Sequence, residues 1–112
     1  MPPQSIHFHC EELRFSLRSK RKIRAWITHT IQQEKLTAGD ISIIFCNDKY
    51  LHKVNLDYLN HDTLTDIITF DYSAQELISG DLFISYERVK KNALIFKQTA
   101  EKELRRVMIH GI

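Results

Sequence analysis

Glycine and proline are scarce, three and two in 112 residues. The prolines are neighbours, Pro2 and Pro3, so no Pro/Gly-rich linker, internal repeat or low-complexity segment divides the chain. No apolar run approaches the roughly 18–20 residues a membrane span needs. Met1 to Ser5 lack the basic start and apolar core of a signal peptide. The expectation is a cytoplasmic protein without a membrane partner. Cysteine is limited to Cys10 and Cys46, which form no C-x-x-C pair and sit in apolar, strand-like runs. That reads as two buried free thiols in a reducing compartment, not a disulfide. Neither sign of charge dominates: the net charge is +2, so the overall balance does not imply nucleic acid. Acids are missing from one stretch, however. Arg14, Arg18, Lys20, Arg21, Lys22 and Arg24 follow one another with no Asp or Glu between them.

What is present is ordinary for one globular domain, with 43% apolar and 27% charged residues. Ile6, Phe8 and Cys10 alternate with Ser5, His7 and His9, the period of a half-buried strand. His7 and His9 share its outer face, but two imidazoles do not make a metal site. Ser19 can cap a helix running to about Lys35, with Ile23, Trp26, Ile27, Thr30 and Ile31 as its buried stripe. The basic cluster opens this helix and opposes its macrodipole by a few tenths of a kcal/mol per charge. Two readings stand, a contact with a phosphate backbone (Arg18, Lys20, Arg21, Lys22, Arg24) or an ordinary solvated face.

Gly39-Asp40 leads into Ile41–Cys46, a strand apolar enough to be central. Asn47 and Asp48 can cap a short helix through Tyr58, with Leu51, Val54 and Tyr58 at helical spacing. A polar connection, Leu59 to Thr63, precedes a strand over Thr65–Asp71. Turn-forming residues at 73–79 lead to another strand, Gly80–Ser85. A helical region from Tyr86 or Glu87 runs to the end, with room for a break near Lys97. Ala93, Phe96, Ala100, Leu104, Val107 and Met108 line its buried face. Strands alternating with helices, then a hairpin-like pair, then helix predict a single α+β domain with a mixed sheet. From position alone, Asp66 and Asp81 are strand-start residues. His110 alone is a cation suited to a helix C-terminus, with no other His, Cys or Glu at ligand spacing.

Four short elements occur in order: Asn55-x-x-Tyr58, Thr65-Asp66 with Phe70, Gly80-Asp81, and Val107-Met108-Ile109-His110-Gly111. Together they resemble the YbeY family, bacterial single-strand endoribonucleases of ribosomal RNA maturation. The resemblance implies an α+β fold, a small four-stranded sheet packed by helices with the metal-ligand helix last. It implies that His110 is the first of three metal-binding imidazoles, the others four and ten residues on, past Ile112. The implied cofactor is one divalent metal, most simply zinc. The implied reaction is metal-activated hydrolysis of phosphodiesters in single-stranded RNA, in 16S rRNA 3′ end maturation and ribosome quality control, with the ribosome as a partner. Thr65, Asp66, Gly80 and Asp81 are motif positions without an assigned role. A chain of these 112 residues alone is expected to bind metal poorly and cleave little.

One departure matters. Many family members carry an Arg after the motif Tyr, where this chain has Leu59; Lys20, Arg21, Arg88 and Arg106 are unranked candidates for its work. A rival reading is a non-catalytic RNA- or ribosome-binding module. A metallopeptidase is disfavoured, because Gly111 stands where H-E-x-x-H needs Glu.

Overall fold

The structure, a computed structural model, describes residues 5–11, 20–59 and 65–111, without the side chains of Ser5 and His110. The elements are β1 (Ser5–Glu11), α1 (Lys20–Gln33), β2 (Thr37–Cys46), α2 (Asp48–Leu59), β3 (Ile67–Asp71), β4 (Leu77–Ser85), α3 (Tyr86–Ile95) and α4 (Ala100–Gly111). The sheet order is β1-β2-β4-β3. β1 and β4 run parallel to β2, and β3 pairs antiparallel with β4. This is the mixed α+β domain expected. Among the described residues, no helix is long and apolar enough to cross a membrane.

β2 is central because its residues are apolar on both sides. Ile41, Ile43 and Phe45 face one layer with Ile6, Leu82 and Ile84, against Ile27 and Ile31 of α1, Val89 of α3, and Leu104, Val107 and Met108 of α4. Cys46 and Ile68 face the other, against Leu51 and Val54 of α2, with Tyr50, Phe70 and Phe83 beside them. Each fully buried aliphatic side chain contributes about 1.5–3 kcal/mol. The α3–α4 break falls where expected. Phe96 caps α3, and Lys97 takes a left-handed φ of 54°.

Several expectations need correction. Cys10 is exposed, because β1 is an edge strand with one neighbour. Phe96 leaves the buried stripe and is 60% exposed, because α3 has already ended at Ile95. Tyr58 is likewise exposed, and Asn55 takes its place on the inner face of α2. β2 begins at Thr37, so Gly39-Asp40 lies inside the strand, at an irregularity in its pairing with β4 between Ala38 and Ile41. The hairpin turn is tighter than 73–79, since β4 begins at Leu77. Arg14, Arg18 and the Ser19 cap lie outside the described residues.

Candidate functional site

Cys46 and Ser85 are register partners, so β2 and β4 end side by side. The helices that follow, α2 and α3, begin together at this edge on opposite faces of the sheet. Their first turns are tied to each other. Asn47 Oδ1 accepts from the Tyr50 amide at 2.8 Å, the cap expected for α2. The Asp48 amide donates to Glu87 Oε1 at 2.8 Å. In return, the fully buried Ser85 hydroxyl accepts from the Arg88 amide at 3.2 Å and donates to Asp48 Oδ1 at 2.6 Å. Arg88 and Lys91 pair with Asp48 Oδ2 at 3.2 and 3.5 Å. Burial, helped by the nearby Asp48, Glu11 and Glu87 carboxylates, pushes the Cys46 thiol up to about 12. It stays protonated at neutral pH and is no nucleophile.

Asp66 and α4 join the same edge. The Asp66 carbonyl accepts from the Ser85 amide at 3.0 Å, and the Thr65 hydroxyl donates to the Ile67 carbonyl at 3.2 Å. Asp66 Oδ2 lies 3.6 Å from Arg106 of α4. Glu103, with no exposed surface, receives Arg106 in a two-toothed grip at 2.8 and 2.7 Å and Gln98 Nε2 at 2.7 Å. The bonds from Arg106 hold its carboxyl below the usual range against the opposing effect of burial; the Arg106 charge, Gln98 and Asn92 add to the depression. Four residues after Arg106, one helical turn along α4, comes His110.

The structure thus gathers Thr65, Asp66, Ser85 and the last turns of α4, and separates Gly80 and Asp81 from them. Those two pair with Asp71 and Phe70, five and four residues and about 13–16 Å back along β4 from Ser85. A Cβ on Gly80 would stand 2.4 Å from the Phe70 carbonyl oxygen, so close strand approach explains this glycine. Asp81 accepts a long bond from the exposed Tyr72 hydroxyl at 3.4 Å. Lys20, Arg21 and Lys22 are exposed on α1, which packs on the layer opposite α2. Arg24 is committed to β1: its Nε donates to the Ile6 carbonyl at 3.0 Å, and its guanidinium lies 5.1 Å over the Phe8 ring. Sequence reading missed Glu103. Its signal was an acid four residues before Val107, in phase with the apolar stripe.

The family model for Endoribonuclease YbeY matches residues 5–112. The chain belongs to the YbeY family. It is 52% identical over 101 residues to Endoribonuclease YbeY of Flavobacterium johnsoniae, covering 90% of this chain and 73% of that protein. It is 48% identical to Endoribonuclease YbeY of Christiangramia forsetii over the whole chain and 78% of that protein. The solution structure of TM1509 from Thermotoga maritima shares the fold, with a TM-score of 0.68 and 24% identity over 95% of this chain and 68% of that one.

YbeY membership raises the metal question, and the described side chains do not answer it with a site. Among the described residues, no three His, Cys, Asp or Glu side chains converge. His7 and His9 are neighbours on exposed β1, with ring centroids 6.3 Å apart and no third ligand. The described residues do not fit a metal ion by themselves. The side chain of His110 lies outside the described residues.

Proposed function

We propose that this chain is the RNA-cleaving domain of a metal-dependent endoribonuclease acting on single-stranded ribosomal RNA, in 16S 3′ end maturation and ribosome quality control in the cytoplasm. The supporting observation is the YbeY match across residues 5–112. The fold agrees with it, because Thr65-Asp66 and the helix carrying His110 meet at one edge of the sheet. His110 is assigned as one ligand of a divalent ion, most simply zinc, with two further imidazoles four and ten residues on. The assignment rests on family membership and on the place of His110 in α4.

Lewis acidity toward water and the phosphoryl group is what a bound ion supplies. The chain's own residues set the edge where RNA is held. Ser85, Asp48 and Arg88 fix the ends of β2 and β4, and the Ser85 amide fixes Asp66 through its carbonyl. Lys20, Arg21 and Lys22 offer a more distant, salt-screened attraction for the phosphate backbone.

The test uses the natural full-length protein and its His110→Ala variant. Bound metal and cleavage of a single-stranded RNA are expected to disappear together. A variant that keeps stoichiometric metal sinks the ligand assignment.

A further inference from the structure

Of the four cations open as candidates at the Leu59 departure, the structure singles out one. Lys20 and Arg21 open α1, and among the described residues no ion pair joins either of them to Asp66 or to α4. Arg88 reaches that edge, but its side chain is 27% exposed, it is held by Asp48, and its Nε is buried. Arg106 reaches the edge with 51% of its side chain exposed.

The donors of Arg106 can be counted. A guanidinium carries five N–H groups in a rigid fork. The Nε–H and one N–H of NH2 bind Glu103, and the other face of NH2 looks to Asp66 at 3.6 Å. Among the described residues, the two N–H groups of NH1 have no partner. Glu103 therefore takes the Nε edge of the guanidinium and Asp66 stands off the NH2 end, which among the described residues leaves the NH1 donors unoccupied. His110 lies four residues on, so the two Cα atoms stand one turn apart on the same face of α4.

We propose that Arg106 is the phosphate-binding residue of this site, its NH1 donors bonding a non-bridging oxygen of single-stranded RNA beside His110. The proposal rests on the nuclease reading for the identity of its ligand. A planar fork held at one edge loses little freedom on binding, which is why Arg suits phosphate better than Lys. The competing role is purely structural, with Arg106 present only to neutralise buried Glu103. The two roles differ in their response to salt.

The experiment measures binding of a short single-stranded RNA to the full-length protein in EDTA, by fluorescence anisotropy, across a salt series. Glu103→Gln with Arg106→Gln removes the buried charge together with its partner, and a thermal melt checks that the pair folds. Loss of one phosphate contact should flatten the plot of log affinity against log salt by about 0.7 and weaken binding about tenfold at low salt. Glu103→Gln alone should keep the wild-type slope. Arg106→Lys serves if the double variant melts out: the slope should hold while affinity falls severalfold, because three mobile donors replace the fork. A folded double variant with wild-type slope and affinity, or a lysine variant that binds as tightly as wild type, overturns the proposal. So does wild-type protein that fails to bind the RNA. Wild-type protein that binds RNA but does not cleave it when metal is restored defeats the nuclease reading and leaves the Arg106 contact standing.

Discussion

Replacing Arg106 with Ala should leave the buried Glu103 carboxylate without its principal partner. Glu103 has no exposed surface, and two of its bonds, at 2.8 and 2.7 Å, come from Arg106. Removing one partner of a buried pair costs about 3–5 kcal/mol. Arg106 is itself half exposed, and Gln98 still bonds Glu103, so about 2–3 kcal/mol is the expected loss. At roughly 4 °C per kcal/mol for a domain of this size, the melting temperature at neutral pH falls by about 8–12 °C. The pH dependence checks the cause. In the wild type, the Glu103 carboxyl is held below its ordinary 4.5. Its contribution is therefore present above that value and fades as pH drops through the lower, folded one. In the variant the stranded carboxylate prefers to take up a proton, so the deficit should narrow on acidification toward about pH 5. Glu103→Gln with Arg106→Gln should melt close to wild type, since no buried charge remains. Thermal melts by circular dichroism between neutral and mildly acidic pH decide it. A drop at neutral pH below about 2 °C, or a deficit that does not narrow with acid, refutes the account of Glu103 as a buried, Arg-dependent anion.

Gly80→Ala should cost about 1–3 kcal/mol, because the new methyl meets the Phe70 carbonyl backbone, read as a lower denaturant midpoint. RNA binding by the folded fraction should be unchanged, since Gly80 is remote from the α4 edge. Ser85→Ala removes the α3 cap and leaves Asp48 without its 2.6 Å donor, for an expected loss of about 1–2 kcal/mol in urea melts. Thiol labelling of the native protein at mildly alkaline pH should find one reactive cysteine, Cys10 on exposed β1. Cys46, with its thiol pushed up to about 12, should react only on unfolding; fast labelling of both refutes its burial.

The elements were legible where period and capping agreed. Alternation placed β1, the run Ile41–Cys46 marked the central strand, and Asn47 announced the start of α2. Motif order carried the family, which residue periodicity alone could not. What the sequence hid were contacts between distant segments. Nothing local says that Asp48 will bind Ser85, 37 residues away, or that Gly80 is needed because a neighbouring strand presses on it. Tyr58 and Phe96 were misplaced for a related reason. Helical spacing says which residues could face inward, but not whether another element waits there. Glu103 broke the apolar pattern, and only its partners explain how an acid can be buried there.

The tie between the first turns of α2 and α3 has a mechanical corollary. One helix lies over each face of the sheet; Glu87 of α3 accepts the first amide of α2, and Asp48 of α2 accepts from the Ser85 hydroxyl that caps α3. Fraying either start breaks a bond to the other, so the two layers are stitched around the strand ends like the halves of a clasp. Under the proposed function, RNA would meet a rim whose two helix starts are already bonded to each other, which lowers the ordering of these residues that binding must supply.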